Sequence, residues 1–170
     1  MRIGLISDTH GRLESRVLEI FQGVDRILHA GDVGTEEVLE ALGSVAPVTA
    51  VYGNVDTFPL VERLREAECF EEAGVRFLIL HQIGSPERLA EPARLRIGAR
   101  RPDVIVFGHT HAVCDRVVEG IRFLNPGGSG PRRFGLPRTV ALLEANRGEI
   151  AVRFVNLDPP DREREKERNR

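Results

Sequence analysis

The sequence predicts an α/β fold on three observations. Short apolar runs alternate with segments of helical periodicity through the first 52 residues. Paired strand-like runs flank glycine-containing turns in the second half. Several apolar runs end abruptly in His, Asp or Asn. The first pattern suits a sheet with helical crossovers, the second antiparallel hairpins, and the third a site beyond the carboxyl ends of strands.

The elements follow in order. Ile3–Ser7 is an apolar run ending at polar residues and reads as a buried strand. Leu13, Val17, Leu18 and Phe21 fall at helical spacing, which predicts a helix over Leu13–Phe21. Arg26–His29 is a second strand. Thr35 is placed to cap a helix over Glu36–Leu42 through its hydroxyl. Val48–Tyr52 is a third strand, with Tyr52 expected in the core. Cys69–Glu72 and Val75–Leu80 flank Ala73-Gly74, a hairpin turn. Pro86–Arg100 reads as a helix broken or restarted near Pro92. Asp103–Phe107 is a strand. Val113–Glu119 with Ile121–Leu124, and Arg138–Glu144 with Glu149–Val155, read as two further hairpins. The expected domain covers residues 1–157. A charged, solvated tail is expected over 158–170, where "DREREKERNR" has no apolar face to bury.

Bulk composition narrows the function classes. The chain has 170 residues, enough for one domain with a sizeable core. Net charge is −2, so no nucleic-acid footprint stands out. The two cysteines, Cys69 and Cys114, form neither a disulfide framework nor a Cys-x-x-Cys clip. No stretch is long enough to span a bilayer, and Met1–Ile6 enters a strand at once, so a reducing cytoplasm is the expected location. Oligomeric state is left open, a homo-oligomer included.

The strand ends carry the chemistry. They read Ser7-Asp8-Thr9-His10, His29-Ala30-Gly31-Asp32, Gly53-Asn54-Val55-Asp56, His81 after Leu78-Ile79-Leu80, and Gly108-His109-Thr110-His111. Asp8 and His10 are two apart, as are His109 and His111. In extended chain such pairs point to one side and can aim two ligands into one space. His29 reads as a strand residue that hydrogen-bonds locally; taken singly, Gly31-Asp32 and Gly53-Asn54 are ordinary turn dipeptides, and His81 is a satisfied, partly buried histidine. Taken together they form an ordered series of imidazole, carboxylate and amide donors, a set suited to Mn, Fe, Zn or Ni. The sequence has no P-loop and no Cys-x5-Arg loop. Gly127-Gly128-Ser129-Gly130 runs into Pro131, which argues against a nucleophile elbow and for a turn near the site.

The series Asp8-x-His10, Gly31-Asp32, Gly53-Asn54, His81, Gly108-His109-x-His111 resembles the calcineurin-like metallophosphoesterase superfamily. Short length, Gly53–Asp56 and Asn125-Pro126-Gly127 resemble its small bacterial and archaeal phosphodiesterase branch. The resemblance implies a four-layer αββα sandwich of two mostly mixed β-sheets flanked by helices. It implies two divalent transition-metal ions, manganese foremost, with Fe, Zn or Ni as alternatives. Asp8, His10 and His111 would hold one, Asn54, His81 and His109 the other, and Asp32 would bridge them. Such a pair, about 3.5–4 Å apart, shares a hydroxide that attacks phosphorus in line. The substrate implied is a small-molecule phosphate ester, a diester before a monoester. A non-catalytic scaffold, as in the retromer subunit of this fold, is the alternative. Two departures from the family pattern stand out. Val55 occupies the place where many members carry a histidine after Gly-Asn, which leaves Asn54 and Asp56 as the non-metal catalytic candidates, Asp56 as an acid. His81-Gln82-Ile83 replaces the branch's His-Gly-His.

Overall fold

Alternation along the strands sorts apolar side chains onto two faces, and both faces are covered. The computed structural model describes residues 1–158. In chain order its elements are β1 (Arg2–Ile6), α1 (Ser15–Ile20), β2 (Arg26–His29), α2 (Glu36–Gly43), β3 (Val48–Ala50), α3 (Leu60–Arg63), β4 (Ala67–Glu72), β5 (Val75–Leu80), β6 (Gly84–Ser85), β7 (Arg88–Leu89), α4 (Glu91–Arg100), β8 (Val104–Val106), β9 (Cys114–Val118), β10 (Ile121–Asn125), β11 (Thr139–Asn146) and β12 (Glu149–Asn156). One five-stranded sheet has the order β12-β11-β1-β2-β3, the other β4-β5-β8-β10-β9. Both are mixed. Strands β1, β2 and β3 run parallel, as do β5, β8 and β10; β11 and β12 on one side of the first sheet, and β4 and β9 at the two edges of the second, pair antiparallel.

Three apolar layers separate four structural ones. Ile3, Leu5, Phe77, Ile79, Val104, Val106, Ala141 and Leu143 fill the space between the sheets. Their neighbours one residue along point outward. Ile6, Ile27, Val140 and Leu142 meet Val17, Phe21, Val38, Leu42 and Leu60 from α1, α2 and α3. On the far side, Leu78, Leu80, Ile105 and Phe123 meet Ala93 and Ile97 of α4. The period of two is therefore what builds an αββα sandwich. Full burial of each large side chain in these layers contributes about 1.5–3 kcal/mol. Gly4 belongs to the same arithmetic of space, since a Cβ there would meet the Phe21 ring at 2.9 Å.

Local expectations fare unevenly. The three hairpins β4–β5, β9–β10 and β11–β12 turn on Ala73-Gly74, Glu119-Gly120 and Arg147-Gly148, each with two positive φ angles. That is the two-residue turn whose twist matches the strands. Helix α1 is shorter than Leu13–Phe21. Thr35 is the N-cap of α2, but its side chain makes no capping bond and engages Glu37 instead. The helix predicted over Pro86–Arg100 begins only at Glu91; the β6–β7 hairpin occupies the preceding stretch, tied back by Ala90 N–H to the Ile83 carbonyl at 2.8 Å. Pro92 fits the first turn, where no intrahelical N–H is needed. Tyr52 is half-buried and lines a cleft instead of lying in the core. Of the tail predicted over 158–170, all but Asp158 lies outside the described residues. Asp158 itself is buried, and its carboxylate accepts from the Arg138 amide at 3.1 Å and from Arg138 Nε at 2.7 Å, so it belongs to the domain. No described helix is long and apolar enough to cross a membrane.

Candidate metal centre

The parallel strands of both sheets end at one edge, and their loops stay paired beyond the sheet. Asp8 N–H donates to Gly31 O at 3.0 Å and His10 N–H to Asp32 O at 2.9 Å, which carries the β1 and β2 loops onward together. Gly108 N–H donates to His81 O at 3.1 Å and does the same for β5 and β8. Two close approaches need glycine. A Cβ at Gly53 would lie 2.1 Å from Asp32 Oδ1, and one at Gly108 would lie 2.0 Å from Ser7 Oγ.

The backbone of the ligand residues is unusual. Asp8, His10, Asp32, His109 and His111 all have positive φ, between 48° and 69°. The spacing of two therefore works through left-handed backbone and not through extended chain, as the sequence suggested. Each such residue costs on the order of 1 kcal/mol or more, and such strain gathers at functional sites.

Two groups of donors converge there. Asp8, His10 and His111 have ligand atoms within 4.8 Å of one another, and so do Asp8, Asp32 and His81. His10 Nε2 faces His111 Nε2 at 3.3 Å. Asp32 Oδ2 lies 3.3 Å from His81 Nε2 and 4.0 Å from His10 Nε2, between the groups. Asn54 Oδ1 meets His81 Nε2 at 3.1 Å and His109 Nδ1 at 3.0 Å. The structure thus brings together all seven residues read as ligands from the sequence. Asp8 is placed as centrally as Asp32, since it belongs to both groups.

Electrostatics fits a cation. Asp8 Oδ2 accepts from the His109 amide at 3.1 Å, whereas Asp8 Oδ1 is buried without a partner, 3.4 Å from His111 Nε2. Burial pushes the Asp8 carboxyl up to about 6. Burial, the neighbouring His10 and Arg133 hold His111 down at about 4, and burial with Arg133 also lowers His10. Both rings are then neutral near pH 7 and offer lone pairs. His81 Nδ1 bonds the Ala30 carbonyl at 2.8 Å, which leaves Nε2 facing Asp32 and Asn54. Burial alone would lower His81, but Asp32 and that carbonyl overcome it and raise it. A buried acceptor with no donor and ring nitrogens aimed at one another are what a divalent ion would satisfy, and the O and N donors suit a first-row metal.

A divalent cation held by these groups would bind in a pH-dependent way. With burial raising the Asp8 carboxyl to about 6, a proton competes for it below that pH, so affinity for a divalent cation should fall as pH drops through that value. Calorimetric titration at pH about 7.5 and about 5.5 measures it; equal affinities at the two would contradict the Asp8 assignment.

Three neighbours have other tasks. Asp56 is buried, and its carboxylate accepts from the amides of Val33 at 3.1 Å, Gly34 at 2.7 Å and Gly53 at 2.8 Å. Both oxygens are engaged as acceptors, so the structure gives this candidate acid a part in holding two site loops together. His29 Nδ1 accepts from the Gly31 amide at 3.2 Å, and its Nε2 therefore donates to Thr9 Oγ1 at 2.9 Å. Gln82, not singled out as a site residue, donates to Asn54 Oδ1 at 2.9 Å and reaches His109 Nδ1 at 3.1 Å. Only its place next to His81 hinted at this. Ile83 lies in the α4 core, which explains why no histidine stands there.

Carboxylates and imidazoles gathered in two overlapping groups at one edge of paired mixed sheets define a metal-binding α/β sandwich. The chain belongs to the calcineurin-like phosphoesterase superfamily, whose domain matches residues 1–148. It is 35% identical to a probable metallophosphoesterase of Methanothermobacter thermautotrophicus over 84% of this chain and 85% of that one. It is 29% identical to a phosphodiesterase of Methanocaldococcus jannaschii, over 88% and 96% of the two chains. Its fold is similar to that of wild-type Vps29 from Entamoeba histolytica complexed with zinc, with a TM-score of 0.70 at 21% identity, covering 93% of this chain and 100% of that one.

Proposed function

We propose that the protein is a metal-dependent phosphodiesterase of the small bacterial and archaeal branch, acting on a small-molecule diester. The observation that carries this reading is the full donor set with Asp8 Oδ1 buried and unpartnered. Asp8, His10 and His111 would hold one ion, Asn54, His81 and His109 a second, with Asp32 shared. Bound there, two divalent ions supply Lewis acidity and lower the pKa of water toward neutrality. The chain's own residues do the rest. The Val55 amide donates to Asp32 Oδ1 at 3.0 Å and orients the shared carboxylate. Gln82 orients the Asn54 amide, whose nitrogen is free to face a phosphate oxygen. Asp56 positions both loops. A cleft of about 200 Å³ opens beside Asn54 and His81, lined by Tyr52, Leu80, Pro92 and Ala93. It offers room for an organic substituent on phosphorus, which favours a diester.

Hydrolysis of a panel of aryl diesters and monoesters by manganese-loaded protein tests the reading. Diester turnover should exceed monoester turnover, and the rate should fall steeply as leaving-group pKa rises, because Val55 offers no acid. No turnover of either class by protein that holds its metals would remove the catalytic reading. Asn54→Ala should lower the rate more than metal content, measured by elemental analysis; equal losses would reduce Asn54 to a plain ligand.

A second reading, a non-catalytic scaffold that binds another protein, is favoured by the likeness to Vps29 and by exposed Phe58. The same panel separates the two.

A further inference from the structure

The loop between β10 and β11 bears two residues that the metal centre does not use. Its first stem is pinned to the β1 loop, with Ser129 N–H on Ser7 O and Gly130 N–H on Asp8 O, both at 3.1 Å. Its second stem is held where Arg138 pairs with Asp158 and Glu14. Between them the chain makes a tight turn, Leu136 N–H donating to Arg133 O at 3.0 Å. Phe134 and Gly135 at its centre have φ of +54° and +70°. Arg132 folds back onto the Leu136 carbonyl at 3.2 Å and braces the turn.

Phe134 is an anomaly in this setting. A bulky side chain in left-handed backbone is strained, and this one is 79% exposed, so little burial offsets the strain. Its ring contact is with a ligand residue: it stands edge-on to His111, centroids 5.7 Å apart and planes at 87°. Arg133, next to it, is exposed and has no ion-pair partner among the described residues. The pair sits on the His10–His111 side, across the centre from the cleft beside Asn54 and His81.

Resting on the phosphoester reading, we propose that Arg133 and Phe134 form a recognition edge for an aromatic phosphate ester, the guanidinium taking a phosphate oxygen and the phenyl ring packing on a planar group attached to phosphorus. A free guanidinium matches a phosphate oxygen. A rigidly held, exposed ring supplies aromatic contact at little cost in side-chain freedom, which a substrate ring can complete.

Phenylphosphonate and methylphosphonate test this without turnover, since neither is an ester. Each is titrated calorimetrically into the manganese-loaded full chain. The parent should bind phenylphosphonate about fivefold more tightly, the scale of one aromatic contact. Phe134→Ala should bring that ratio close to one, and Phe134→Tyr should keep it. Arg133→Gln should weaken both ligands alike, by about tenfold. No preference in the parent, or an unchanged ratio in Phe134→Ala, overturns the recognition edge; diester turnover by the same protein would then leave the phosphoester reading standing. Failure of the manganese-loaded parent to bind either phosphonate overturns the edge; absence of diester turnover by that same protein would defeat the phosphoester reading with it.

Discussion

Asp32→Ala is expected to abolish diester turnover, by about 10³-fold or more, while the chain still folds. The carboxylate proposed as shared lies between His81 and His10, so both proposed ions would lose a ligand at once. Loss of metal chemistry worth several kcal/mol translates to that range at about 1.4 kcal/mol per tenfold. His10→Ala removes a ligand from one group only, so excess manganese should partly restore its rate. Asp32→Asn separates charge from shape, because an amide oxygen can still accept from the Val55 amide. Turnover and manganese stoichiometry are measured on all three. Near-parental rate in Asp32→Ala would refute the bridging assignment.

Asp56→Ala should have the largest effect on stability. It strips the acceptor from the amides of Val33, Gly34 and Gly53, each within two residues of Asp32 or Asn54. Leaving buried donors unsatisfied costs about 1–3 kcal/mol each, reduced where water reaches them, so a loss of roughly 3 kcal/mol is expected. A denaturant midpoint reads it directly. Turnover should fall with it, since the two loops that carry Asp32 and Asn54 lose their tie. Asp56→Asn keeps one oxygen and should fall between. Stability within about 0.5 kcal/mol of the parent would show that the tie is dispensable. If Asp56→Asn also steepened the leaving-group dependence, the acid role would return to Asp56.

What the sequence by itself determined was the pattern of strands and which polar residues stand at the strand ends as candidate ligands. Ile3–Ser7 and Asp103–Phe107 were legible as strands because a short apolar run ending at polar residues is local information. The Ala73-Gly74 turn was legible for the same reason, and turns at Gly120 and over Asn146-Arg147-Gly148 were too, although Glu119 shares the second turn and Asn146 still belongs to β11. The candidate ligand types were legible because a run of core residues ending in His or Asp has no packing use for them.

Only the tertiary structure decided the rest. That His29 bonds locally was legible in sequence, but which groups it meets, and how His81 is turned, could not be read from one strand. His29 is spent between Thr9 and Gly31, and His81 is turned toward Asp32 by the Ala30 carbonyl. The left-handed backbone at Asp8, His10, Asp32, His109 and His111 is imposed by loops paired across the sheet edge, such as Asp8 N–H to Gly31 O. Gln82 and Phe134 acquired their places in the same way. Asn54 is 28 residues from Gln82 in sequence, and His111 and Phe134 lie in separate loops. These contacts join residues far apart in the chain, and the energy that fixes them comes from packing two sheets face to face, which no local pattern encodes.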